Sequence, residues 1–161
     1  MSELEDRCWQ CPRCKRLRRG ERPKTCWGCG HFGYWDWVGV TKLIVRTARI
    51  SSGDPDRLDV TRQSGSELGK VFAPSWMLLR PFLAKRKADL LTERDWLDYV
   101  ARYTDEMRTS FRHHGDAWES LLGRERVVLV CFCVDPLQCH RTVLGRDILP
   151  KLGAAFAGEL P

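Results

Sequence analysis

The stretch at residues 127–133, VVLVCFC, is apolar on both faces of the strand that it predicts. Strands that are buried on both faces are typical of the centre of a parallel sheet with helices packed against it. A second apolar run, LIV at 43–45, predicts another buried strand over residues 42–47. The run at 127–133 is therefore the expected central strand, and the run at 43–45 is a second buried strand.

Helical patterns occupy most of the chain between and after these strands. Thr92, followed by Asp95 at the capping-box position, predicts the start of a long helix with one apolar face. Asp135, followed by Pro136, predicts the N-terminus of a closing helix after the second strand. Strands that alternate with helices in this way predict an α/β fold, a Rossmann-like sandwich with a mainly parallel sheet over residues 37–161.

Residues 1–36 contain two Cys-x-x-Cys pairs, separated by eleven residues, and predict a small N-terminal zinc ribbon. Two such turns can present four thiolates to one zinc ion in a tetrahedron at about 2.3 Å. A disulfide framework is the alternative, and it is disfavoured because the N-terminus does not resemble a secretory signal. Cys8 is most simply a spare thiol, although it could replace one ligand. The predicted zinc ligands are Cys11, Cys14, Cys26 and Cys29.

The chain carries a formal net charge of +6, and its basic residues are concentrated in the predicted ribbon. Eight Lys and Arg residues lie between Arg7 and Lys24, against one acidic residue, Glu21. A cluster of this kind predicts contact between the ribbon and nucleic acid. The alternative is that its positive charge offsets the negative charge of the tetrathiolate centre. We expect the aromatic stretch 30–37 to pack the ribbon against the main domain.

The length of 161 residues fits one ordinary domain with a small appendage. No apolar run approaches the ~20 residues that span a bilayer, so we expect no membrane partner. Together with the absence of a secretory signal, this predicts a cytoplasmic protein.

Reactive side chains follow the apolar strand at residues 139–141, in the opening turns of the predicted closing helix. In open parallel sheets, ligands bind beyond the carboxyl ends of the strands, and free amides at a helix start stabilise an anion. We therefore predict Cys139 as a thiolate nucleophile, His140 as the proton carrier and Arg141 as the anion-binding group. The alternative is that Cys139 packs inward as a small apolar residue and His140 completes a local hydrogen-bond network.

Five other residues are predicted to bind the ligand, because they follow strands or lie on a helix that can reach this edge of the sheet. Arg108 has a simpler alternative as a surface charge paired with Asp105, Glu106 or Asp116. Asp59 with Arg62 could act as an acid/base carboxylate and its orienting partner, although a loop salt bridge is commoner. The predicted ligand-binding residues are Thr47, Arg49, Arg62, Arg108 and Cys133.

A second zinc site, formed by Cys131, Cys133, Cys139 and His140, is a further alternative. Along a regular strand, the first two cysteines would lie roughly 6.6–7 Å apart. Thiolates that share one zinc ion lie under about 4 Å apart. The predicted strand therefore disfavours this site unless a bulge intervenes.

Several segments resemble those of a known protein family. They are VRTARI at 45–50, DRLDVTR at 56–62, FAPSW at 72–76, Tyr103 with EMR at 106–108, and VLVCFC through CHR at 128–141. Over about residues 40–158, the chain resembles the bacterial and phage branch of domain-of-unknown-function family 488, and the Cys-His-Arg block is the most specific part. The resemblance implies a Rossmann-like α/β fold and a pocket involving positions 47, 49, 139, 140 and 141. It implies no established reaction.

These observations predict a protein that binds a phosphate-bearing ligand, a nucleotide or a nucleic-acid component, at the Cys-His-Arg helix start. If the protein is an enzyme, transfer or hydrolysis at that ligand is the expected reaction. A second hypothesis is a non-catalytic nucleic-acid-binding or adaptor protein that docks through its ribbon. A third is a thiol-redox protein that uses Cys133 and Cys139, which requires their sulfurs to be close together.

Overall fold

The computed structural model describes residues 7–14, 16–19, 23–32, 36–40 and 43–161. Its N-terminal part contains three short strands: β1, Arg7–Gln10, β2, Leu17–Arg19, and β3, Asp36–Val40. They form an antiparallel sheet with β1 in the middle. Because β3 pairs with β1, residues 36–40 lie in the same sheet as the start of the cysteine-rich segment.

The rest of the chain contains a four-stranded sheet in which every pairing is parallel. Its strands are β4, Ile44–Arg49, β5, Arg57–Asp59, β6, Arg126–Cys131, and β7, Ala155–Glu159. They lie side by side in the order β5-β6-β4-β7. The predicted α/β fold with a mainly parallel sheet is confirmed, and the two predicted strands are neighbours at its centre.

β6 is buried along its whole length except at its first residue. Val127 and Leu129 lie in the main hydrophobic core. Val128 and Val130, on the opposite face, form a smaller cluster with Ala48 of β4. Both faces of the strand exclude water, which explains why its sequence is continuously apolar rather than alternating.

Four helices connect β5 to β6: α1, Glu67–Val71, α2, Trp76–Lys87, α3, Glu93–His113, and α4, Gly115–Leu122. The predicted capping box at the start of α3 is confirmed, because Thr92 and Asp95 each accept a hydrogen bond from the other's backbone N–H. The apolar face of α3 supplies much of the core. Its buried core residues are Tyr99, Tyr103, Met107 and Phe111.

A carboxylate on α3 fixes the start of α2. Glu106 accepts hydrogen bonds from the backbone N–H of Ser75 at 2.8 Å and from the Ser75 hydroxyl at 2.5 Å. Ser75 is also the N-cap of α2, and its hydroxyl oxygen accepts from Leu78 N. The helix that forms one wall of the site described below is thereby held against α3.

The segment after β6 differs from the prediction. β6 ends at Cys131, and the chain bends at Phe132 instead of continuing as a strand. The predicted helix start at Asp135 is wrong. The Asp135 carboxylate accepts a hydrogen bond from Leu137 N at 2.8 Å, which closes one local turn. Cys139 then has an extended backbone, with φ −137° and ψ 139°, so helical geometry begins only after it.

The helix that follows is irregular. It starts as α5, His140–Thr142, continues as a π-helical stretch, Val143–Ile148, and ends in a 3₁₀ turn, Leu149–Leu152. We refer to residues 140–152 as the C-terminal helical segment. It leads into β7, an edge strand that the sequence did not predict.

The N-terminal segment packs against the C-terminal part of α3 and against α4. Trp27 makes an edge contact with Phe111, at 5.6 Å between ring centroids, and lies 6.3 Å from Trp118. The Nε of Arg112 donates to Gly28 O at 2.5 Å. Of the aromatic stretch expected to make this contact, residues 33–35 and the side chains of residues 36 and 37 lie outside the described residues. No helix within the described residues is long and apolar enough to cross a membrane.

Candidate functional site

Three cysteine side chains converge at the carboxyl end of β6. The Sγ atoms of Cys131, Cys133 and Cys139 all lie within 4.8 Å of one another. Those of Cys131 and Cys133 are 3.8 Å apart. Cys131 and Cys139 are buried, whereas Cys133 is half-buried. We call these three residues the thiol cluster, and at these distances they can hold a metal ion.

The sulfur distances in the thiol cluster differ from the expectation for a regular strand, which had disfavoured a metal site here. A regular strand would separate Cys131 and Cys133 by roughly 6.6–7 Å. Because β6 ends at Cys131 and the chain bends at Phe132, the two sulfurs approach each other instead. The turn at Asp135 then reverses the direction of the chain, so that Cys139 lies beside Cys131 and Cys133.

His140 lies beside the thiol cluster and is buried. Its Nδ1 is 3.9 Å from Cys131 Sγ, and its Nε2 is 2.8 Å from Val60 O. Burial lowers the pKa of His140, which favours the neutral ring near pH 7. Because a carbonyl oxygen only accepts hydrogen bonds, Nε2 carries the hydrogen and Nδ1 presents its lone pair to the cluster.

Arg141 is fully buried, and its guanidinium already has several partners. Nη2 donates to the Glu159 carboxylate at 2.7 Å, and Nη1 donates to Cys133 O at 2.8 Å. Nη1 also lies 3.6 Å from Cys139 Sγ. Arg141 therefore ties the loop after β6 to β7, and its charge is balanced by Glu159. Its role as an anion-binding group stays a prediction.

The thiols of the cluster differ in acidity. Hydrogen bonding with Cys133 and Cys139 lowers the pKa of Cys131 well below its ordinary value, despite burial. Burial raises the pKa of Cys139 well above its ordinary value. The sequence pointed to Cys139 as the nucleophile, but the lowered pKa in the cluster belongs to Cys131. The nucleophilic role of Cys139 stays a prediction.

A cavity of about 120 Å³ opens beside the thiol cluster. Its walls come from the segment after β5, the loop after β6, and α2 with α3. We call it the thiol pocket. Its aromatic and apolar lining residues are Trp76, Leu79, Phe82, Leu83, Tyr99 and Phe132. Three of them, Trp76, Leu83 and Phe132, are also exposed to solvent, so they form a rim around the opening.

Two arginine side chains line the thiol pocket, Arg62 and Arg86. Arg86 donates to Gln138 O at 2.6 Å and to Cys133 Sγ at 3.5 Å. Arg62 donates to Ala73 O at 2.6 Å and to Pro74 O at 2.9 Å. Among the residues that the structure describes, neither guanidinium forms a salt bridge with a carboxylate.

Arg62 does not orient Asp59 as an acid/base partner in this structure. The Asp59 carboxylate instead accepts from Ser64 Oγ at 2.6 Å and from Thr61 N at 2.9 Å. Partial burial opposes ionisation, but these hydrogen bonds outweigh it and lower the pKa of Asp59. An ionised carboxylate held in this way stabilises the turn after β5, which supports one wall of the pocket.

Three predicted ligand-binding residues do not line the thiol pocket. Thr47 is fully buried on β4, and its hydroxyl has no hydrogen-bond partner among the described residues. Arg49 is exposed at the end of β4. Arg108 is paired with Asp105 at 3.1 Å and lies over the ring of Trp27 at 5.4 Å. Its position matches the surface-pair alternative, and it faces the N-terminal segment.

The four N-terminal cysteines form a second cluster of sulfurs within 4.8 Å of one another. The Sγ atoms of Cys11 and Cys29 are 3.7 Å apart, and those of Cys14 and Cys26 are 3.6 Å apart. This arrangement is compatible with the predicted zinc ribbon and can hold one metal ion. The side chain of Cys8 lies outside the described residues, so its part as an alternative ligand stays a prediction.

A larger and more open groove, of about 770 Å³, lies between α1 and α3. Several of its polar groups hold the fold together. Glu106 caps α2 through Ser75, and Ser110 donates to Val71 O at 3.0 Å. The thiol pocket is smaller, but it contains the reactive side chains and lies where ligands bind in parallel sheets.

Sequence reasoning missed two residues of the site, Arg86 and Glu159. Arg86 had a weak signal, because it lies one turn after Phe82 on α2, and its guanidinium lies over that ring at 4.8 Å. Glu159 had none, since it belongs to the edge strand β7, which the sequence did not predict.

Comparison with known proteins agrees with the sequence resemblance. A family model described as the active DUF488-N3 subclade matches residues 45–153, a range that includes the thiol cluster and the lining of the thiol pocket but not the N-terminal cysteine cluster. No curated protein matches the chain significantly, and no solved structure does so either. Because the family match covers most of the chain, this protein belongs to the active DUF488-N3 subclade of domain-of-unknown-function family 488.

Proposed function

We propose that the thiol pocket binds a phosphate-bearing ligand, either a free nucleotide or one nucleotide of a nucleic acid. The observation that carries the proposal is the pair of guanidinium groups, Arg62 and Arg86, in one small pocket with aromatic walls. The pocket lies beyond the carboxyl ends of parallel strands, where open α/β sheets bind their ligands.

The two arginines have donors to spare for an anion. A guanidinium has five N–H donors, and the contacts described above use two from each side chain. Arginine binds phosphate through paired, charge-assisted hydrogen bonds. No described carboxylate neutralises Arg62, so a phosphate would supply its missing negative charge. Arg86, which also donates to Cys133 Sγ, would add further N–H donors.

The rim of the pocket suits the remainder of a nucleotide. A ligand larger than the cavity would extend past Trp76 and Phe132, whose rings are partly exposed. Stacking of a base on an aromatic side chain contributes about 1–3 kcal/mol and tolerates any base. Phosphate and base would thus be bound by different parts of the same pocket.

The N-terminal cysteine cluster is proposed to bind zinc, which would fold the ribbon around its metal. Exposed basic residues of the ribbon, such as Arg13 and Lys24, then remain available for nucleic acid. The description of the family as active favours catalysis at the thiol pocket over a purely adaptor role. The cytoplasmic location stays a prediction.

Calorimetric titration of the full chain with nucleoside monophosphates and the matching nucleosides tests the proposal. Charge-assisted hydrogen bonds contribute about 1.5–3 kcal/mol, so we expect the monophosphates to bind at least about tenfold more tightly than the nucleosides. Arg86→Gln should remove most of that difference. Added salt should weaken the binding of the monophosphates, because phosphate contacts dominate it.

Lys87→Gln is the matched control, since Lys87 follows Arg86 on α2, is exposed, and does not line the pocket. It removes the same charge and should leave the affinity unchanged. Equal effects of the two substitutions, or equal affinities of nucleosides and monophosphates, would show that the pocket does not recognise phosphate.

A further inference from the structure

We infer that the thiol cluster is a second zinc site, with Cys131, Cys133 and Cys139 as thiolate ligands and His140 Nδ1 as the fourth ligand. This inference does not require the ligand proposed for the thiol pocket, but the two proposals share Arg86. It rests on the convergence of three sulfurs at the carboxyl end of β6 and on the position of His140 Nδ1, 3.9 Å from Cys131 Sγ.

The spacing of the sulfurs matches that of the N-terminal cluster. The shortest described separation in the thiol cluster is 3.8 Å, between Cys131 and Cys133. In the N-terminal cluster, where the sequence itself predicts a tetrahedral site, the corresponding distances are 3.6 and 3.7 Å. Thiolates bound at about 2.3 Å to one tetrahedral zinc require separations of this size.

The hydrogen bond of His140 fixes which of its nitrogens can bind a metal. Nε2 donates to Val60 O at 2.8 Å, so the lone pair is on Nδ1. Nδ1 faces one sulfur of the cluster, Cys131 Sγ, at 3.9 Å. A histidine that ligates zinc through one nitrogen usually donates its other N–H to a carbonyl or a carboxylate, which orients the ring.

The surroundings balance the charge of such a site. Three thiolates, one neutral imidazole and Zn²⁺ carry a net charge of −1, which must be compensated where two of the sulfurs are buried. Arg86 lies 3.5 Å from Cys133 Sγ, and Arg141 lies 3.6 Å from Cys139 Sγ. Both arginines can donate N–H groups to ligating sulfur atoms. Because Arg141 is already paired with Glu159, Arg86 is the cation that balances the charge of the site.

Metal analysis of the purified full chain, by mass spectrometry of its elements, tests the inference. Wild-type protein should contain two zinc equivalents per chain. Cys133→Ser should retain only the ribbon's zinc, and Cys26→Ser, its matched control, should retain only the second. His140→Gln should speed transfer of one equivalent to a chelator and leave the other unchanged.

Cobalt substitution keeps the test valid if one variant folds poorly. In Cys26→Ser, the remaining cobalt should show sulfur-to-metal charge-transfer absorption, and adding Cys133→Ser should abolish it. One zinc equivalent in the wild type would overturn the inference if the thiols at 131, 133 and 139 all react with a thiol reagent. A disulfide between two of them, detected by mass, would overturn it in favour of redox chemistry.

Discussion

Arg16 joins the N-terminal segment to the C-terminal end of α3. Its Nε donates to Phe111 O at 2.9 Å, and its Nη2 donates to Arg112 O at 3.2 Å. The last carbonyls of a helix lack partners within the helix, and a cation there also meets the negative end of the helix dipole. Gly115 leaves space for the Arg16 guanidinium, since a Cβ at that position would lie 1.9 Å from Arg16 Nη1.

Replacement of this arginine should loosen the ribbon from the main domain. Arg16→Ala removes both carbonyl contacts and the ion pair with Glu119 at 3.3 Å. We expect a loss of about 1–3 kcal/mol of unfolding free energy, measured by denaturant unfolding at saturating zinc. Arg13→Ala is the control, because Arg13 is exposed in the same segment and should change stability by less than about 0.5 kcal/mol. If both variants lose equal stability, Arg16 is not the residue that docks the ribbon.

The chemistry of single residues could be predicted from the sequence better than their contacts. The Cys-His-Arg block does lie at the carboxyl end of the central strand, as predicted, and the four N-terminal cysteines do converge. The partner of Arg141 could not be foreseen, because Glu159 comes from an edge strand with a weak pattern. In the same way, nothing in the sequence of the basic loop shows that Arg16 meets helix carbonyls.

Helices and strands could be predicted from the sequence where a single local pattern determines their position. The capping box of Thr92 with Asp95 sets the start of α3, and continuous burial explains β6. The segment after β6 could not be predicted, because Asp135 and Pro136 suit a turn as well as a helix start. Its outcome depends on long-range contacts with Arg86 and Arg141, which a local pattern does not contain.

α1 packs directly on the end of β5, and this contact permits no side chain at Gly69. A Cβ there would lie 1.9 Å from Asp59 O. Asp59 leads into Thr61 and Arg62, which line the thiol pocket. The position of α1 therefore affects both the sheet and one wall of the site.

Gly69→Ala should force α1 away from β5. Alanine has the better helix propensity, by up to about 1 kcal/mol, but the clash is with backbone and cannot be relieved by a side-chain rotation. We expect a net loss of about 3 kcal/mol of unfolding free energy, the upper part of the usual range for overpacking. Denaturant unfolding measures it. Gly53→Ala, where no described atom lies within 4 Å of the added Cβ, should be nearly neutral, and a neutral Gly69→Ala would contradict the described contact.

The topology of the whole molecule assembles the site from distant parts of the sequence. Parallel strands place the segment after β5 and the loop after β6 at one edge of the sheet, and α2 covers that edge. The ribbon docks elsewhere, on Phe111 and Trp118. A nucleic-acid substrate would therefore meet two separate surfaces, the exposed part of the ribbon and the rim of the thiol pocket.

The most direct measurement is a crystal structure of the full chain with a bound nucleoside monophosphate. Phosphate density within hydrogen-bonding distance of Arg86 and Arg62, with the base against Trp76 or Phe132, is the result that we predict. An empty thiol pocket in crystals where the nucleotide is bound only to the ribbon or to the groove between α1 and α3 would contradict the assignment of this edge of the sheet as the functional site.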